Sequence, residues 1–216
     1  MSATSAGLGA TRLRTSTAVA AAALPPLALA VIGAFHPHDL TPDTARRWTD
    51  VHVVALPVFG LLGLAPWLLL RRLDRRLGFA GAVLAWTYAA FYTALDVLAG
   101  IGAGTAQQDS GGTGVGDLFA RGNSLAGVGV GAYLLLTLLA AVVTRLATGP
   151  RRAAWIGGLL ATVGAVSFLS SHIYWWRGGV TMLALAAGWT LLALCPVGGP
   201  PRRPLPAGAA SGMVAR

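Results

Sequence analysis

Four histidines and seven aspartates hold most of the chemistry open to this sequence. His36, Pro37 and His38 form a His-x-His pair. Proline holds such a pair extended, and alternate side chains of an extended chain share a face. Both imidazoles could then reach one ion, with His52, His172 and Asp96 completing its sphere. Neutral imidazole suits zinc, copper, iron and nickel. A transition metal or a haem is therefore one candidate cofactor. The plainer alternative is four histidines at a membrane surface, bonded to loop carbonyls and headgroups. No helix carries a His-x-x-x-His pair, so spacing alone does not decide between them.

Asp96 offers a second chemistry, one that needs no cofactor. It stands within an apolar run, where a carboxylate costs at least a few kcal/mol unless it is paired, protonated or wetted. Tyr88, Tyr92 and Asp96 are spaced by four and share one helix face, which Gly100 and Gly104 continue. A carboxyl group in so apolar a place has a raised pKa and can donate a proton. His52 or His172 would be its hydrogen-bond partner. Tyr88, Tyr92, Trp86, Trp175 and Trp176 would wall a binding site, since aromatic faces attract positive charge. The structural alternative pairs Asp96 with Arg177, Arg121 or a histidine. Tyr174, Trp175 and Trp176 also fit the aromatic belt of a membrane surface. Ser167, Ser170 and Ser171 fit helix–helix hydrogen bonds better than nucleophiles. Cys195 is the one cysteine, so no intrachain disulfide forms. It behaves as a small apolar residue. The chain has no nucleophile elbow, phosphate-binding glycine loop or His-Glu-x-x-His motif.

The elements that must position these residues are set by hydropathy. Of the 216 residues, 55% are hydrophobic and 11% charged. A soluble domain carries about 25% charged residues. Six segments approach the ~20 apolar residues that cross a bilayer: 16–35, 51–70, 78–103, 125–147, 153–172 and 178–195. The expected fold is all-α, a polytopic bundle of about six transmembrane helices. Residues 1–15 form a cytoplasmic tail, 16–195 the bundle, and 196–216 a disordered cytoplasmic tail. The alanine-rich first run also resembles a signal peptide, but its length favours a retained helix. Pro25 and Pro26 predict a kink. The segment 104–124 reads as the longest outer loop, a flexible connector or a lid.

All sixteen basic residues are arginine. Arg12, Arg14, Arg71, Arg72, Arg75, Arg76, Arg145, Arg151, Arg152, Arg202, Arg203 and Arg216 fall on one side. Arg46, Arg47, Arg121 and Arg177 fall on the other. The positive-inside rule then gives N-in and C-in, in a multi-pass protein of the cell membrane. The sequence pI of 11.4 is therefore a matter of topology and lipid headgroups, not of nucleic acid. All four histidines lie at the outer ends of helices, which no topological rule requires. Asp96 is 18 residues past Gly78, about 27 Å along a helix, and belongs to the same layer.

The stretch from His36 to Arg72, with His36-Pro37-His38, Trp48, His52 and Pro57, and the stretch from Phe91 through Asp96 to Gly104 resemble small polytopic membrane proteins of actinobacterial type. That resemblance implies a fold and no chemistry. In size and helix number the chain is also similar to bacterial membrane-bound terpene cyclases. Those enzymes protonate an isoprenoid with a carboxylic acid and guide the cation with aromatics. Only Asp96 and its aromatic neighbours fit that pattern, and no Asp-rich diphosphate motif is present. The leading expectation is an enzyme acting on a lipophilic small molecule by acid–base chemistry, with proton-initiated isoprenoid cyclisation as its concrete form. The alternatives are a metal- or haem-binding protein and an accessory or transport subunit. Membrane lipids are the expected surroundings, and a homo-oligomer is compatible with the sequence.

Overall fold

In hydrocarbon a chain satisfies its backbone by closing hydrogen bonds within each segment, so long apolar runs become helices. The computed structural model describes residues 3–196, with side chains from residue 15 onward. Every regular element among them is helical. Six are long and apolar enough to cross a membrane: Thr15–Gly33, Ala45–Leu73, Arg75–Ser110, Val115–Thr148, Arg152–Ser171 and Arg177–Leu194. The tail expected to be disordered, with Arg202, Arg203 and Arg216, lies outside the described residues. So do the side chains of Arg12 and Arg14.

Helix α1 spans Ala3–Gly33 and runs through Pro25 and Pro26. The second span is broken into α2 (Ala45–Leu61) and α3 (Leu64–Leu73). Pro66 supplies the reason: it has no N–H to return to the Leu62 carbonyl, so the ladder is interrupted there. Asp74 then caps α4 (Arg75–Leu95), its side chain accepting from the N–H groups of Arg76 at 2.7 Å and Leu77 at 3.1 Å.

The third span departs most from expectation. It continues from α4 into a π-helix at Asp96–Gly102 and then α5 at Ala103–Ser110. Helix α6 begins already at Val115 and ends at Thr148. The predicted loop at 104–124 is therefore mostly helix, and only residues 111–114 form the turn. Its glycines misled the reading. Gly111 and Gly114 do sit at positive φ, 61° and 79°, where other side chains are strained. Gly104 and Gly122, inside the helices, serve close packing instead, whereas Gly116 faces open space. Helix α7 (Arg152–Ser171) and helix α8 (Arg177–Leu194) complete the bundle.

Helices α1, α8, α7, α6 and α4 pack in that order, and α2 and α3 pack against α1, α4 and α6 or the π-helix to close the bundle. The centre is aromatic: Phe59, Tyr88, Tyr92, Tyr133, Phe168 and Trp189 are all buried. Trp189 donates to the Tyr133 hydroxyl at 3.4 Å. Ser167 and Ser171 hydrogen-bond to Thr181 across α7 and α8, at 2.6 and 3.1 Å. That is the structural role expected of them. Cys195 is buried and faces the Leu191 carbonyl.

Candidate metal centre

One end of the bundle gathers the end of α1, the start of α2, the π-helix, the start of α6 and the end of α7. All of these except α6 bring one group to the same neighbourhood. His36 follows α1 on a short turn, its backbone N–H donating to the Gly33 carbonyl at 3.1 Å. Arg47 pins that turn by donating to the Phe35 carbonyl at 2.7 Å. His52 lies one turn beyond Trp48 on α2. Asp96 opens the π-helix, and π-turns inside α-helices are often found at functional sites. His172 ends α7 with a backbone φ of 45°. A side chain other than glycine pays about 1–3 kcal/mol for such a conformation, a cost that recurs at functional sites.

Close approach of α2 to the π-helix is what brings His52 to Asp96. A Cβ at Gly100 would overlap the His52 ring, and one at Gly104 would overlap the Thr49 hydroxyl. Trp48 fastens the same contact by donating from its indole to the Ala99 carbonyl at 3.1 Å. Gln108 of α5 adds a bond to the Thr49 hydroxyl at 3.1 Å.

The histidine nitrogens can be assigned by elimination. Nδ1 of His36 lies 2.6 Å from the Pro37 carbonyl, and Nδ1 of His52 lies 2.7 Å from the Trp48 carbonyl. A carbonyl only accepts, so both Nδ1 atoms carry the hydrogen. In the neutral rings each Nε2 then presents a bare lone pair. Those two Nε2 atoms face each other at 3.4 Å. Tyr92 engages Nδ1 of His172 at 2.6 Å, which leaves the His172 Nε2 as its free nitrogen. The three residues can bring ring nitrogens within 4.8 Å of one another.

Burial pushes the His36 imidazole down to about 4, with a smaller contribution from His52. Burial, then the charges His52 and His36 would carry, holds His172 well below the usual imidazole range. These rings are therefore neutral at neutral pH. The Asp96 side chain is 1% exposed, and its Oδ1 stands 3.8 Å from Nε2 of His52. Neither carboxyl oxygen has a hydrogen-bond partner. Two lone pairs and an orphaned carboxyl thus meet at His52. A buried polar group without a partner is costly, and a bound cation relieves all of them at once.

A cavity of about 270 Å³ adjoins this point. Trp48, His52, Tyr92, Asp96, Phe168 and His172 are among the residues that line it. The arrangement corrects the sequence reading in several places. His38 is exposed and stacks on Tyr174 instead of joining His36. His36 is buried against His52 while His38 is exposed, so the two imidazoles do not share a face. Trp86, Trp175 and Trp176 are exposed, at 71%, 56% and 66%, and none lines the cavity. Tyr88 is fully buried one turn deeper, beside Tyr133. Asp96 meets His52 and neither Arg121 nor Arg177. The sequence reading missed Phe119, Asn123 and Phe168 in the lining.

No family model matches the chain, and no curated protein or solved structure is significantly similar to it. The likeness to actinobacterial membrane proteins and to terpene cyclases rests on the quoted residues, size and helix number alone.

Proposed function

We propose that this chain is an integral membrane metalloprotein that holds one first-row transition metal through His36, His52 and His172, with Asp96 as a fourth donor or the base beside it. The observation that carries this reading is the pair of bare Nε2 atoms facing each other at 3.4 Å. Two nitrogens on a tetrahedral ion with bonds of about 2.0–2.1 Å stand about 3.3–3.4 Å apart. The Nδ1 atoms are held by Pro37, Trp48 and Tyr92, and oxygen partners of this kind fix the tautomer of metal-bound histidines. A haem fits less well. Its axial ligands stand on opposite faces of a wide ring, whereas these nitrogens converge from neighbouring helices. The arginine pattern supports an N-in, C-in orientation, which puts the centre at the outer side of the cell membrane.

The test is elemental analysis of detergent-purified protein prepared without chelator. The wild type is expected to carry about one metal per chain, and His36→Ala and His52→Ala to carry none. Metal-free wild type that takes up no zinc, iron, copper or nickel on reconstitution would reject the reading.

A second reading is favoured by Asp96 itself. A buried, unpartnered carboxyl on the wall of a cavity with Tyr92, Phe168 and Trp48 supports acid catalysis on a lipophilic substrate. Isoprenoid cyclisation is its concrete form. That reading requires turnover by metal-free protein and its loss in Asp96→Asn.

A further inference from the structure

The cavity beside the histidines is not equally closed on all sides. Toward the aqueous end it is roofed by rings. His36 packs edge-on against Trp48 and Tyr174, with centroids 4.8 and 4.6 Å away. Trp48 in turn meets Phe119 at 6.0 Å. His36 and Trp48 are 7% and 3% exposed, and Tyr174 and Phe119 are half-buried, so rings cover most of this end. The other wall is different. It includes Asn123 and Ala126 of α6 and Leu169 and Ser170 of α7. Asn123, Leu169 and Ser170 line the cavity and are also exposed at the surface of the bundle. The opening is therefore on the side of the molecule, between α6 and α7.

Depth places that opening at the edge of the hydrocarbon. Helix α7 has 20 residues, about 30 Å, the thickness of a bilayer core. Leu169 and Ser170 are in its last turn. Helix α6 has 34 residues, about 51 Å, so it projects some 20 Å beyond the core. Counted from Arg145 at the opposite boundary, Ala126 is about 28 Å away and Asn123 about 33 Å. Ala126, Leu169 and Ser170 thus lie at the edge of the hydrocarbon, with the buried Val130 deeper on the cavity wall and Asn123 at headgroup level. The side opening has an apolar lower lip and a polar upper one.

We infer that the ligand of this centre is a single-chain amphiphile with a carboxylate or carbonyl head, which reaches the metal sideways from the bilayer between α6 and α7. The inference rests on the metal reading for the head group and on the side opening for the route. A cavity of about 270 Å³ is smaller than the ~300–1,000 Å³ pockets that enclose whole drug-sized ligands. It accommodates a head and a short length of chain. The remaining chain stays in lipid. Asn123 and Ser170 donate hydrogen bonds to the head as it crosses the lip.

A diazirine-labelled palmitic acid tests the route in nanodiscs. Cross-links are expected at Ala126, Val130 and Leu169, and Ala126→Trp is expected to abolish them by plugging the opening. Leu169→Trp gives a second plug if the first variant fails to fold. Leu135→Trp, on the exposed face of α6, is the control and leaves labelling unchanged. Cross-links spread evenly over the bundle surface, or undiminished in both plugged variants, would overturn the inference. Metal content measured on the same samples separates the two claims. Labelling at the opening in protein that binds no metal would remove the metal reading and keep the route. In cobalt-substituted protein, palmitate shifts the visible bands and hexadecane does not. Unchanged bands with palmitate would show that the head does not reach the metal.

Discussion

His52 is the residue on which the centre turns. Its Nδ1 is tied to its own helix, its Nε2 faces His36, and its ring fills the space left by Gly100. His38, although two residues from His36, contributes nothing to this group. His38→Ala is therefore expected to retain the metal content of the wild type, in contrast to His52→Ala. Equal metal loss in both variants would point to general unfolding or to surface binding. Tyr92 bonds to Nδ1 of His172, so in the proposed centre it would stand one step back from the ion. Removing such a partner costs about 10–100-fold in metal affinity. Tyr92→Phe is expected to weaken binding by that amount in competition with a chromogenic chelator, while the helical circular dichroism is unchanged. At this scale the sequence was partly legible. The layer of His36, His52, His172 and Asp96 could be read from positions at helix ends. The exclusion of His38 could not, because it depends on how the segment after α1 packs against α2 and Tyr174.

Among the elements, the π-helix at Asp96–Gly102 does the positioning. Its wider turn carries Asp96 and Gly100 onto the face that meets α2. Gly100 was visible in the sequence as part of a stripe with Tyr88, Tyr92, Asp96 and Gly104. What it meets was not, since a stripe of small residues names no partner. Gly100→Ala must displace the His52 ring or the helix behind it. Overpacking of this kind costs about 1–3 kcal/mol. The variant is expected to show a lower thermal midpoint and reduced metal content together. An unchanged midpoint with full metal occupancy would mean that α2 and the π-helix are less closely fitted than described. The segment 104–124 shows the limit of composition as a guide. Glycine, glutamine and aspartate read as loop, yet residues 103–110 and 115 onward are helical. Membrane helices carry more glycine than soluble ones, so that count is weaker evidence of a loop here.

At the scale of the whole molecule, hydropathy alone gave six spans, and the six apolar helices agree with them. Length and the cost of an unsatisfied backbone in hydrocarbon leave little choice. Orientation is a separate matter, carried by the arginines. On the expected spans twelve of the sixteen fall on one side, and the orientation we propose from that bias is N-in and C-in. The turn at 111–114 would then face outward. Thr113→Cys, an exposed position of that turn, in a Cys195→Ser background, is expected to react with a membrane-impermeant maleimide on intact cells. Protection of that cysteine until the cells are broken would reverse the orientation and put the metal centre on the cytoplasmic side.

The most direct test of the account is an X-ray absorption spectrum of the purified protein at the edge of whichever metal it carries. The account predicts one ion with about three imidazole nitrogens and one or two oxygens at about 2.0–2.1 Å if the metal is zinc, and loss of the imidazole scattering in His52→Ala. A shell of oxygens alone, or a spectrum identical in wild type and His52→Ala, would contradict it.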